Sequence, residues 1–397
     1  MKKLISLFTV FALLLTCCAF SAGTVFAADK DFTIKALTST TAEIVKYTGE
    51  GGDVTIPSKL DGLTVVSIGN QAFYQNTKIK KVTLPDTITD IGTKAFAGSY
   101  ITSIDIPDSV KTIGTSAFSY CIYLKDLTLS ANTTKISNNC FSNCSRLTEV
   151  VIPEGVTYID VSAFQSCFAL AKAEFPSTLK TIDEYAFAYT KLSDINFPEN
   201  LKEIKSLAFI QCYDIKSLTI PGGVNTISEY SFKDCTNLTE VTLMDGVKEI
   251  KAGAFDACPI EIITIPASVT SIEDYSIGFT DYLVEYEPFD YIKIRCYKDS
   301  EAYKYADKYD FEVSLMDDEV SEPTTPTLPD IPTDYEMGDV NMDRKINIKD
   351  ATSIQKHIAD LITLSPQSII LADFDGDMKI TVKDSTAVQK FIAGIVI

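Results

Sequence analysis

Leu147-Thr148-Glu149-Val150-Val151-Ile152-Pro153-Glu154-Gly155-Val156-Thr157-Tyr158-Ile159-Asp160-Val161-Ser162-Ala163-Phe164-Gln165-Ser166-Cys167 is one of ten consecutive copies of a single pattern. The unit reads Leu-x-x-Val-x-Ile-Pro-x-x-Val-x-x-Ile-x-x-x-Ala-Phe-x-x-Cys. Its Ala163-Phe164 pair recurs as Ala72-Phe73, Ala95-Phe96, Ala117-Phe118, Cys140-Phe141, Ala186-Phe187, Ala208-Phe209, Ser231-Phe232 and Ala254-Phe255, in steps of 22 or 23 residues. Ser276-Ile277 is a degenerate tenth member. A second marker keeps the same beat: Ile56-Pro57, Leu84-Pro85, Ile106-Pro107, Ile152-Pro153, Phe175-Pro176, Phe197-Pro198, Ile220-Pro221 and Ile265-Pro266, with Pro lost at Leu129-Ser130 and Leu243-Met244.

Alternation such as Val82-Thr83-Leu84 specifies a short strand, stopped by Pro, which has no N–H for a ladder. The apolar residues of one coil cannot form a core alone. Stacked coils bury them as continuous Val, Ile and Phe rows, which predicts a β-rich repeat solenoid. One residue per strand points away from that core: Thr83, Asp105, Thr128, Val151, Glu174, Asn196, Thr219, Thr242 and Thr264. A second outward row comprises Asp90, Thr112, Lys135, Tyr158, Thr181, Glu203, Thr226, Glu249 and Ser271. These rows are Thr-rich, mildly acidic and short of aromatics, as a solvated face or an extended binding surface would be.

The unit resembles the bacterial leucine-rich repeat of the surface-antigen (BspA-like) type, over roughly residues 50 to 280. Residues 31 to 50 resemble the strand cap that precedes such arrays, and residues 292 to 315 the closing unit. In the latter, Ser300 is placed to cap a helix with Ala302, Tyr305, Ala306 and Tyr309 on one face. Cys121, Cys144, Cys167, Cys212, Cys235 and Cys258 all lie three residues after the repeat Phe, where other coils carry Asn76, Ser99, Thr190 or Thr280. A slot that accepts Cys, Asn, Ser or Thr wants a small side chain that satisfies a nearby backbone group. The expectation is a buried cysteine ladder with neighbouring rungs within disulfide reach.

The chain has 397 residues and a formal charge of −19. That length predicts more than one unit. The acidity excludes nucleic acid as a partner, since nothing neutralises a phosphate backbone. Lys2-Lys3, an apolar run from Leu4 to Leu15 and a small-residue region ending Val25-Phe26-Ala27 read as a secretory signal cut after Ala27. A lipid anchor at Cys17 would want a small residue in place of Thr16. No later stretch reaches the roughly 18 apolar residues of a membrane span. The expected organisation is signal peptide 1–27, capped array 28–316, a Pro-, Thr- and acid-rich tether 317–337, and a terminal module 338–397.

That module contains one acidic sentence twice, 34 residues apart. Oxygen donors at alternating positions, closed by a carboxylate at the twelfth, suit a hard cation such as Ca²⁺. In the first loop Asp339, Asn341 and Asp343 offer side-chain oxygens, Lys345 its carbonyl, Asn347 a direct or water-bridged ligand and Asp350 the closing carboxylate. Asp373, Asp375, Asp377, the Lys379 carbonyl, Thr381 and Asp384 take the same roles in the second, so two ions are expected. Four carboxylates against three predict tighter binding by the second loop. Loop position 6, usually Gly, is Arg344 or Met378, which should strain each turn. Helices are predicted over Ala351 to Ile358, with Ile354 and Ile358 on one face, and Ser385 to Ile392, with Val388 and Ile392 likewise.

Asp at position 12 and a single helix after each loop resemble a type I dockerin, a small all-α calcium module. The resemblance implies a cohesin partner on a scaffold protein. Carried over position by position, the contact residues are Ile348, Lys349, Gln355 and Lys356, with counterparts Val382, Lys383, Gln389 and Lys390. Their repetition predicts docking in either of two orientations. The whole reads as a secreted, non-catalytic binding or adhesion component of a cellulosome-like, polysaccharide-degrading complex, its array facing an unknown protein or glycan. A carbohydrate-active enzyme or a host- or cell-surface adhesin on the same dockerin is the alternative. A Ser/His/Asp system is disfavoured, because the single His, His357, lies in the module.

Overall fold

The computed structural model describes residues 25–27, 30–282, 285–317, 338–341, 343, 345–358, 364, 368, 371–374 and 380–393. Residues 1–24 of the expected leader and 318–337 of the expected tether lie outside these, as does the side chain of Thr280. The chain divides into two compact units, Met1–Asp317 and Asp318–Ile397.

The first unit is a solenoid whose core is one continuous apolar cluster running from Phe32 to Phe311. The repeat phenylalanines form its column. Phe118 stacks on Phe141 at 5.4 Å, and Phe141 on Phe164 at 5.3 Å, with planes within 11°. Tyr47 of the N-terminal cap starts the column, 5.2 Å from Phe73. That cap is the antiparallel pair Phe32–Ala36 and Thr41–Tyr47, whose second strand joins Leu63–Ile68 in parallel. Val25–Ala27 pairs with Thr33–Lys35, so cleavage after Ala27 would remove this strand. At the other end Glu301–Tyr309 is a helix, and the Ser300 side chain accepts the Tyr303 amide as its N-cap. Ala302, Tyr305 and Ala306 are buried, and the Tyr309 ring meets Phe279 at 4.8 Å.

Parallel strands form two rows. One holds the strands that precede the Pro marker, such as Lys172–Glu174 and Ser217–Ile220. The other runs unbroken from Lys135–Ile136 to Ser271–Ile272. A third side, invisible to strand periodicity, is built by alternate amides around each Ala-Phe pair. Phe118 N–H donates to Cys140 O of the next coil at 2.9 Å, while Ser119 N–H turns back to Ser116 O at 3.1 Å. This zigzag requires left-handed backbone two residues before and two after each Phe: Ser116 and Tyr120 have φ of 56° and 58°, Leu207 and Gln211 of 61° and 57°. Such conformations in L-residues are costly one at a time and survive here because the coil-to-coil bonds fix them.

The cysteine ladder is present as buried free thiols. Each sulfur donates to the carbonyl of the Phe one coil back: Cys121 to Phe96 O, Cys144 to Phe118 O and Cys167 to Phe141 O, all at 3.2 Å. Thr190 bonds within its own coil instead, its hydroxyl donating to Phe187 O at 2.9 Å, and Asn76 caps its own turn through the Lys78 amide. Burial pushes the thiols of Cys121 and Cys167 up to about 12 and that of Cys212 to about 11.

Two expectations for the outward rows need correction. Thr181 is buried, because Tyr158, its partner in register, reaches diagonally across to hydrogen-bond Asp183. Each Pro-side strand also presents two outward residues, since positions two apart share a face. The extra row, including Lys81, Asp126, Glu149, Lys172, Asp194 and Glu240, is exposed and mostly charged.

Candidate functional site

In the second unit the helices Ile348–Ile358 and Val382–Ile392 pack with a small core of Val340, Ala351, Ile354, Leu364, Ala372 and Val388 among the described residues. Ile346, Phe374 and Ile380 pack against it from the loops. Both helices begin three residues earlier than their apolar periodicity predicts, so the position-12 aspartates fall inside the first turn. Local chemistry explains the shift. The Thr381 hydroxyl accepts the Lys383 amide at 3.2 Å, and the Asp384 carboxylate accepts the Thr381 amide at 2.8 Å, a capping box. Asn347 and Asp350 repeat it: Asn347 Oδ1 accepts from Lys349 N–H at 3.0 Å, and Asp350 Oδ2 from Asn347 N–H at 2.8 Å. The apolar faces are also shorter than expected. Ile358 and Ile392 are exposed, and burial falls on Ala351 with Ile354 and on Ser385 with Val388.

The other oxygen of each closing aspartate ties back to the loop start. Asp350 Oδ1 accepts from Asn341 N–H at 3.1 Å, and Asp384 Oδ1 from Phe374 N–H at 2.9 Å. Asp343 N–H donates to Asp339 Oδ1 at 3.1 Å and to Asn341 Oδ1 at 2.9 Å, which turns the acceptors of positions 1 and 3 onto the loop. Asp339 and Asp350 are both buried. Placing two carboxylates in one loop, away from water, is unfavourable unless positive charge offsets it. With the Asn341 and Asp343 side chains they make a set of hard oxygen donors, which fits a divalent cation. The Asn347 oxygen accepts from the Lys349 amide at 3.0 Å, and its nitrogen donates to Lys345 O at 2.9 Å. Among the described residues no three His, Cys, Asp or Glu side chains converge as a ready-made cluster. Asp375, Asp377 and Lys379 of the second loop lie outside the described residues.

Of the expected partner-contact residues, Ile348, Lys349, Gln355, Lys356, Val382, Lys383 and Lys390 are exposed and Gln389 is half-buried. Two large apolar side chains stand out in water at matching positions, Ile348 at 60% and Val382 at 65% exposure.

The BspA type leucine rich repeat region matches residues 52–171 and 157–283, together more than half of the chain. The chain belongs to the BspA-type leucine-rich repeat proteins. Residues 337–393 match the dockerin type I domain, so this BspA-type protein carries a type I dockerin at its C-terminal side. Both are non-catalytic modules, and type I dockerins bind calcium. A dockerin implies a cohesin partner, and proteins built from these modules are typically extracellular or on the cell surface. No curated protein matches the chain.

Among solved structures, a leucine rich cell surface protein of Faecalibacterium prausnitzii is 24% identical, with a TM-score of 0.49 over 64% of this chain and 95% of that one. A leucine-rich repeat protein of Bacteroides ovatus is 21% identical, TM-score 0.42, over 73% and 99%. One of Eubacterium ventriosum is 31% identical, TM-score 0.38, over 42% and 45%. Among the described residues no helix is long and apolar enough to cross a membrane.

Proposed function

We propose that this BspA-type protein is a secreted, non-catalytic component of a polysaccharide-degrading assembly, held on a scaffold through calcium-dependent docking of its dockerin to a cohesin, while the array presents a binding surface. The observation that carries the reading is the matched pair of exposed apolar residues, Ile348 and Val382, each followed by a lysine and by a buried position-12 aspartate. Isolated large apolar side chains at symmetric places on a small module are natural anchors for a partner. Two ions are held, one per loop, by the twelve positions named above, and the second loop binds more tightly. Single-loop variants titrated calorimetrically would overturn that order if the first loop proved the stronger.

The docking itself is tested by titrating the full chain with type I cohesin modules in calcium and in chelator. Binding in calcium alone is expected, with its loss in an Ile348→Asp, Val382→Asp double variant. Binding that ignores both the chelator and the double variant would sink the reading. The near two-fold repetition supports docking in either orientation: Lys356→Glu and Lys390→Glu should each be tolerated singly, and abolition by each alone would exclude it. Export is checked by N-terminal sequencing of the secreted chain, expected to start at Ala28.

A further inference from the structure

The ladder of the Pro-side strand row is interrupted between Asp126–Thr128 and Glu149–Val151, and farther along it is lost for a whole coil. Lys172–Glu174 pairs only backwards, Ser217–Ile220 only forwards, and the segment 193–197 between them forms no strand. Among the described residues, the N–H groups of Ser193 to Phe197 bond to no neighbouring coil. The opposite row continues through the same coils, with Thr181–Ile182 paired to Glu203–Ile204. The column of rings keeps its spacing, 5.2 Å from Phe164 to Phe187 and 5.5 Å from Phe187 to Phe209. The coils have therefore not separated along the ring column.

Four departures from the repeat meet at this place. Phe175 and Phe197 replace the aliphatic residue before Pro in these two coils alone. Thr190 replaces Cys, and the step from Phe187 to Phe209 is one residue short. A ring does not fit the space that an isoleucine fills. Both rings stay half-buried, stacked on each other at 6.0 Å and held edge-on by Phe187 and Phe209 at 5.5 Å each. Two hollows lie here, of about 430 Å³ and about 520 Å³, the first lined by Phe197 and the second by Phe175. Asp194 and Asn196 line both.

We infer that this break is a binding site for a neutral saccharide of one or two rings. It rests on the proposal that the array is the binding part of the protein, and it gives that part a place. The volumes suit a small ligand. Carboxylates of Asp194, Glu174 and Glu199 accept from hydroxyls; the Asn196 amide and the unpaired backbone N–H groups donate to them. Phe175 and Phe197 offer rigid apolar surfaces to the carbon face of a sugar. An anion is disfavoured by those carboxylates, whose nearby cation, Lys172, is already paired with Glu174. A cation would meet the unpaired N–H donors.

The test is calorimetric titration of the full-length chain with cellobiose, xylobiose, maltose and lactose. At least one should bind, and Asp194→Ala with Asn196→Ala should weaken it about tenfold or more. Phe197→Ile, which restores the repeat residue, should also weaken it, while Asp105→Ala, on another stretch of the row, should not. Calcium-dependent cohesin binding, measured on the same variants, reports the docking separately and should be unchanged. Failure of all four sugars to bind, binding indifferent to the Asp194, Asn196 pair, or capture of hexalysine instead would overturn the assignment.

Discussion

The array and the dockerin solve the same stability problem in opposite ways. In the array, every coil repeats one apolar row against the next, and even its cysteines serve the backbone of their neighbours. Among its described residues the dockerin has a core cluster of six buried residues, and it uses carboxylates as backbone partners. Repetition lets the array carry a charged, variable surface at little risk. The dockerin, too small to bury much, draws stability from its polar loops and hence from whatever charge they hold.

The largest effect that would sharpen this contrast is expected at the ring column. Phe141→Ala removes a fully buried ring touching rings on both sides, and should cost the array about 3–5 kcal/mol while leaving the dockerin transition in place. Denaturant unfolding followed by array tyrosines and dockerin helicity reads both. A loss below about 1 kcal/mol would mean that the column is not one core.

The converse experiment removes calcium. A ligand at a thousandfold excess over its Kd adds about 4 kcal/mol to the state that binds it. Chelation should therefore lower or abolish the dockerin transition and leave the array's melting temperature unchanged. An equal shift in both would break the comparison.

The array, in turn, should be the alkali-sensitive unit. Its buried thiols hold their protons up to about 12 at Cys121 and Cys167 and about 11 at Cys212, because burial opposes the thiolate; in the unfolded chain they ionise near 9.0. Between these values the folded state binds more protons, so stability falls as pH rises, by roughly 1 kcal/mol per pH unit for each thiol. Below the unfolded value the contribution is fully present. Urea midpoints at pH 7.5 and 10 should show this loss, reduced in a Cys121→Ser, Cys167→Ser variant that borrows the residue natural at Ser99. The same slope in that variant would remove the thiols from the explanation.

What could be read in advance divides along the same line. The solenoid, its strand rows, both caps and the thiol ladder were legible because each is a periodic apolar signal repeated many times over. The dockerin loops were legible because alternating oxygen donors are rare by chance. The helix starts were misplaced because Asp350 and Asp384 are polar, and apolar periodicity cannot register a capping box. The break at 193–197 was written in Phe175, Phe197 and Thr190, yet it counts as irregularity only once the ladder is seen to fail there.

The third side of the solenoid was least legible, and it yields the smallest effect. Left-handed backbone is usually announced by Gly or Asn, yet here Tyr120, Tyr189 and Leu207 adopt it. Tyr120 has φ of 58° and a side chain 60% exposed, so little packing is at stake. Gly98 occupies the same place one coil earlier with φ of 69°. An L-residue there costs about 1–2 kcal/mol, and glycine gives back about 0.5–1 kcal/mol through the freer unfolded chain. Tyr120→Gly should thus stabilise the array by about 0.5–1 kcal/mol, and Tyr120→Ala, which keeps Cβ, should not. Among its described residues the dockerin uses left-handed backbone only at Gly338, so it holds no such reserve. If Tyr120→Gly proved destabilising, the ring would be holding more of the turn than its exposure implies, and the array would depend on its surface as well as on its core.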